Sequence, residues 1–419
     1  MRIRPRRTAL AASAAAAALA ALTLAATAPA SGSPAASAPK LAIKQVSGSS
    51  FPDPKPVTPE QKSGPRYFYS TAGNKGVLVC PRDPETSCSQ TQQKVKLEIP
   101  AHTDGSYICS FSNRSVFRYS SGNSTKWYLT PSVKVAHKKA GCKDNSWGVV
   151  LLFKPDTGKA HQGDNAVPYH YWVWTKKTLL GSLTHPNHNA GYAAHLERSG
   201  STVALIYAED NGCRIGLYAE RVDPATMKPN TSSKTELLSP GISGNRDLNS
   251  EIVHSDRHGC KLYKVETGYI KKINGTYVMG YSVGSYNGIE YKIGLAYSKT
   301  FLGHYQKAVR HVTNGAWGSE KTEVNYVVQS EKPKWCHYET TAWGPGVPSL
   351  VPYNHKWYMY FAAHPGAKPK NGTFSASTRT PFDVPLTVKK KFGSLSKANR
   401  FHRQTWIEPD LSNGHPQSC

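Results

Sequence analysis

Glu266 stands at the head of an alternating run, in KVETGYIKKINGTYVMGYS at 264–282. A carboxyl there is either an ordinary surface charge, as most glutamates are, or an acid placed to hand on a proton. Asp53 sits in FPDPKPV and Asp83 in PRDP, both followed by proline. Read from composition alone, Asp53 is a solvated charge in a Pro-rich linker. Trp343, beside Gly344-Pro345-Gly346, is the best-placed indole for stacking on a sugar face, whereas Trp357 lies in an alternating run and reads as core. His137, His170, His185, His188 and His195 lack metal-ligand spacing, and no CxxC pair is present, so no metal and no cofactor are implied. A GxSxG elbow is absent too.

The elements that must position such residues are strands. Helical periodicity is nearly absent. What recurs is an aromatic-rich alternating run, a Gly/Asn/Ser turn and a second run. RYFYSTAGNKGVLVC (66–80), SWGVVLLFKPDTGK (146–159), STVALIYAEDNGCRIGLYAERV (201–222), GTYVMGYSVGSYNGIEYKIGLAYSK (275–299) and KWYMYFAAHPGAKPKNGTFSAST (356–378) are the five instances. The spacing predicts an all-β chain folded as a five-bladed β-propeller over residues 56–400. A two-sheet sandwich is the alternative. The stretch from Cys80 to Lys126 fits neither neighbour and reads as an enlarged first blade or an inserted hairpin. Residues 401–419 are expected to close on the propeller as a tail.

The first 30 residues read as a secretory signal: Arg2, Arg4, Arg6 and Arg7, an Ala-rich run from Ala9 to Ala26, and Ala28-Pro29-Ala30. Residues 31–55 are a Ser/Pro/Ala-rich leader. The protein is therefore expected to be extracellular and, with no later apolar span, not membrane-embedded. Eight cysteines in an exported chain favour disulfides. Cys80 and Cys88 bracket a short turn-rich segment and are predicted to pair; Cys213 and Cys260 are predicted to approach each other. The formal net charge is +25, four of those charges in the signal. That balance attracts polyanions, although the Lys and Arg residues are dispersed and no nucleic-acid motif occurs.

Three segments together resemble glycoside hydrolase family 43, most of all its arabinanase and arabinofuranosidase members. They are GCRIGLYAERVDPATMKPN, VETGYIKKINGTYVMGYSVGSY followed by YKIGLAYSKTFLGHYQK, and WGPGVPSLVPYNHKWYMYFAAH. The resemblance covers roughly residues 50–400. It implies a five-bladed propeller with its site at one end of the central channel, and inverting hydrolysis of arabinosyl or xylosyl linkages by three acids. Inversion needs two carboxyl groups on opposite sides of the scissile bond, about 6.5–9.5 Å apart to admit water. By resemblance Glu266 is the proton donor and Asp53 the base. The third acid has no carboxylate at its matching position, which falls at about Tyr192. Thr267-Gly268 replaces the family's small residue and proline, and Val347 its channel histidine. Tyr192, His188 and Trp343 are the expected substrate-binding residues, the partner an oligosaccharide or polysaccharide, and the protein a monomer. The competing readings are a carbohydrate-binding propeller without catalysis, and a basic extracellular protein that binds polyanions.

Overall fold

Val, Ile, Tyr and Phe at alternate positions favour pleated strands, and glycines with positive φ at Gly122, Gly200, Gly212 and Gly275 permit the tight turns between them. A computed structural model describes residues 44–45, 51, 53–60, 66–70, 77–84, 86, 88, 95–158, 171–186, 191–241, 251–257, 259–313, 320–324, 326–330, 342–366, 371, 373–375, 378–388 and 407–409. These form five antiparallel blades in chain order. Blade one is Lys55–Pro56, Arg66–Tyr69 and Val77–Cys80. Blade two is Ser106–Ser121, Ser124–Ala136, Trp147–Pro155 and Tyr171–Leu180. Blade three is Tyr192–Ser199, Thr202–Asp210, Arg214–Asp223 and Lys228–Leu238. Blade four is Cys260–Ile273, Thr276–Val283, Lys292–Ser298 and Tyr326–Gln329. Blade five is Ala342–Tyr353, Lys356–Pro365 and Thr380–Val388; Lys44–Gln45 and Ile407–Pro409 both pair with its last strand.

Two observations close the ring. The hydrophobic core is divided into five clusters, each between successive blades. The cluster of Phe68 and Leu78 with Val351, Tyr358 and Tyr360 joins blade five to blade one. The first strands also touch in sequence, 55–56 with 106–121, then 192–199, 260–273 and 342–353. Ser349 Oγ returns to the Pro54 carbonyl at 3.5 Å. The architecture is a five-bladed β-propeller with these first strands around its axis. The segment from Cys80 to Lys126 is neither an enlarged blade one nor an inserted hairpin. Its strand Ser106–Ser121 is the first strand of blade two, paired through the Gly122 turn with Ser124–Ala136.

Cys80 bonds Cys88, as their spacing predicts, and Cys109 bonds Cys142. Cys213 is also in a disulfide; the Cys260 side chain, its predicted partner, lies outside the described residues.

The first strands share one irregularity. Asn113, Ala193, Thr267 and Val347 each have φ between 48° and 57°, and each lies in a β-bulge. Asp53, just before the first strand of blade one, has φ 55°. Left-handed backbone costs an L-residue about 1–2 kcal/mol. Repeating it once per blade re-aims the side chains at one end of the channel, as bulges do elsewhere.

Candidate active site at the channel mouth

Glu266 and Asp53 are both carried to this end by those backbone turns. Glu266 precedes the left-handed Thr267, and Asp53 is itself left-handed. The Thr267 hydroxyl donates to the Glu266 carbonyl at 2.8 Å and meets Ser282 Oγ at 2.6 Å; Ser282 Oγ accepts the Val347 N–H at 2.7 Å. One serine thus ties the bulges of blades four and five together.

The Glu266 carboxyl is buried and fully engaged. Its Oε1 accepts from the Tyr291 hydroxyl at 2.9 Å. Its Oε2 accepts from the Tyr192 hydroxyl at 2.9 Å and pairs with Lys264 Nζ at 2.8 Å. Burial, then the Glu266 charge, push both phenols well above their ordinary range, so both stay donors. Asp53 is more open, with its side chain 20% exposed, and pairs with the buried Arg379 guanidinium through Oδ1. Arg379 also donates to the Ala362 carbonyl at 2.9 Å and lies 5.2 Å over the Tyr291 ring. A continuous path therefore runs from Asp53 through Arg379 and Tyr291 to Glu266.

A third cation, Lys55, feels the charge of both carboxylates. Lys55 is buried, its Nζ has no hydrogen-bond partner among the described residues, and burial pushes it down to about 8 against the charges of Asp53, Glu197 and Glu266. His195 and Glu197 are also buried, with Nε2 to Oε1 at 3.7 Å. Burial pushes Glu197 up to about 7, opposed by Lys271 and Lys55. Burial and Lys55 hold His195 well below its usual value, hence neutral.

The two carboxylates that the sequence singled out are thus joined in one network. Asp53, the expected base, is paired with Arg379. Ala193 has the backbone conformation of Asp53 in the corresponding place of blade three, but carries only a methyl group. Tyr192, expected to touch substrate, spends its hydroxyl on Glu266. Trp343 is partly exposed, with Nε1 donating to the Gly366 carbonyl at 2.8 Å, and faces His364 in the ladder. His188 lies outside the described residues. Among the described residues no group of three or more His, Cys, Asp or Glu could hold a metal.

Sequence reasoning missed Arg379, Tyr291, Lys264, Lys55 and Glu197. Lys264 alone left a local trace, two residues before Glu266. Arg379 is 326 residues from Asp53, a pairing that only ring closure creates.

No protein-family model matches the sequence, and no curated protein does. Solved structures do match. One is a thermostable family-43 glycoside hydrolase, at 16% identity and TM-score 0.53, covering 87% of this chain and 95% of that one. Another is an α-L-arabinofuranosidase from Lactobacillus brevis, at 14% identity and TM-score 0.51, with 81% and 91% covered. A third is an endo-1,4-β-xylanase from Bacteroides thetaiotaomicron, at 15% identity and TM-score 0.51, with 88% and 97% covered. This chain therefore has the five-bladed propeller fold of the family-43 glycoside hydrolases.

Proposed function

We propose that the protein is an exported glycoside hydrolase that cleaves arabinosyl or xylosyl linkages of plant cell-wall polysaccharide with inversion. Asp53 deprotonates the attacking water and Glu266 protonates the leaving oxygen. The observation that carries this reading is the convergence of two carboxyl groups from different blades on one channel mouth, linked by Arg379 and Tyr291. Asp53 is the more open of the two, as a group that must meet water should be. Arg379 orients it, and the two phenols and Lys264 orient Glu266. The structural neighbours, by their names, act on arabinosyl and xylosyl bonds, which supports the same substrate class. Arabinan, xylan and a set of nitrophenyl glycosides offered to the purified mature protein test it. Release of pentose supports the reading, and inertness on the whole panel overturns it.

One observation favours a second reading, a propeller that binds carbohydrate without cleaving it. Both Glu266 oxygens are occupied by protein donors, and the third acid is replaced by Ala193 and Tyr192. A wild type that binds an oligosaccharide tightly and leaves it intact would establish that reading.

A further inference from the structure

Among the described residues, one large hydrophobic side chain is exposed. It is Tyr286, at 47%. It lies at the same end as Glu266, on the turn between two blade-four strands, Thr276–Val283 and Lys292–Ser298. That turn brings Tyr291 back to Glu266.

The turn is held from many sides. Gly288 N–H donates to the Ser285 carbonyl at 2.9 Å, and Phe374 N–H to the Asn287 carbonyl at 2.7 Å. Ser330 Oγ donates to the Ile289 carbonyl at 2.6 Å and accepts the Gly344 N–H at 2.6 Å. The Tyr286 carbonyl can only accept, so His364 Nε2 carries the proton in their 3.3 Å contact. His364 is in turn fixed by Thr378 Oγ1 at 2.8 Å and by a parallel stack on Phe374 at 4.2 Å. Burial pushes it down to about 4, so it is neutral and keeps this arrangement at ordinary pH. The Tyr286 ring is therefore held in solvent on a backbone fastened by several bonds, so it is available for stacking without a cost of ordering the turn.

Trp343 is connected to the same turn through His364. It sits opposite His364 in the ladder, its indole plane fixed by the bond to Gly366, and Gly344 packs so close to the Gly288 carbonyl that a Cβ there would come within 2.7 Å. Both residues are thus tied to His364, Tyr286 through its backbone carbonyl and Trp343 through the ladder, where blades four and five meet.

We propose that Tyr286, with Trp343, is a stacking platform for a second sugar unit of a pentose chain whose first unit lies at the channel mouth. The proposal rests on the carbohydrate reading above and extends it: the preferred ligand is a chain, not a single sugar. Aromatic faces bind the C–H faces of sugars while hydroxyls stay in water, which suits a half-exposed ring. The experiment compares wild type, Tyr286→Ala and Tyr286→Phe on an arabino- or xylo-oligosaccharide and on a nitrophenyl pentoside. Tyr286→Ala is expected to raise KM about tenfold on the oligosaccharide, with kcat unchanged, the pattern of a lost uniform binding contact. KM on the nitrophenyl pentoside should stay as in wild type, and Tyr286→Phe should restore oligosaccharide binding. If the wild type binds without turnover, the same ratios are read as Kd by calorimetry. Equal constants for wild type and Tyr286→Ala on the oligosaccharide overturn the platform alone. A wild type that neither binds nor cleaves any glycan overturns the carbohydrate reading and the platform with it.

Discussion

Glu266 and Glu197 are both buried glutamates on first strands, and their surroundings separate them. Glu266 is given three donors, from Tyr192, Tyr291 and Lys264. Glu197 Oε1 has no hydrogen-bond partner among the described residues, and burial pushes the group up from 4.5 to about 7. Between those values the folded protein holds a proton on Glu197 that the unfolded chain has released. Stability from this group is therefore full below pH 4.5 and falls as pH rises through 7. The span corresponds to about 3 kcal/mol. Denaturant unfolding of wild type and Glu197→Gln at pH 5 and pH 8 checks this: the wild type should lose about 2–3 kcal/mol more than the variant over that interval, since the first half unit of the window lies below pH 5. Equal losses would place Glu197 outside the titrating network. Glu266 stood out in the sequence only through the family resemblance of the segment around it; its place before a strand pair reads equally as a surface charge. Its partners did not stand out, because a lysine, two tyrosines and a distant arginine carry no spacing signature until the blades close.

The strands were legible because each blade repeats one physical pattern, alternating apolar residues around a turn that glycine or asparagine permits. The bulges were not. Left-handed backbone is signalled by glycine, yet here it falls on Asp53, Asn113, Ala193, Thr267 and Val347. Val347 is the extreme case, a β-branched residue at φ 57° that the surrounding structure must hold in place. Ser282 supplies part of that hold, accepting from Val347 N–H and meeting Thr267 Oγ1. Ser282→Ala leaves a buried N–H without this acceptor, and a loss of about 1–3 kcal/mol is expected. Chemical denaturation measures it. Because the same serine joins the two bulges beside Glu266, activity should fall in parallel. Unchanged stability would show that the bulges hold themselves.

At the scale of the molecule, closure depends on contacts between distant parts of the chain. Lys44–Gln45 and Ile407–Pro409 share the outer strand of blade five. Arg379 reaches Asp53 across the seam between blades five and one. Disulfides act on smaller loops, Cys80–Cys88 over a separation of 8 and Cys109–Cys142 over 33. Loop entropy assigns about 2–3 kcal/mol to the first and about 4 kcal/mol to the second. Replacing the Cys109–Cys142 pair with serines should lower the unfolding midpoint more than replacing Cys80–Cys88. The reverse order would mean that local packing rather than loop closure sets their worth. The Cys80–Cys88 bond could be read from the sequence because its loop is short; Cys109–Cys142 could not, since it spans a hairpin whose place in blade two the sequence left open.

In the proposed reaction Glu266 donates a proton across the channel mouth to a bond attacked from the side of Asp53. Turnover of aryl pentosides by wild type and Glu266→Gln, over leaving groups from nitrophenol to poorer phenols, tests it most directly. A loss of about 10²–10⁴-fold is expected on the poor leaving groups, with a much smaller loss on nitrophenol and a variant as well folded as the wild type. Equal turnover by the variant on every leaving group would contradict it and leave Glu266 as a buried acceptor for Tyr192, Tyr291 and Lys264.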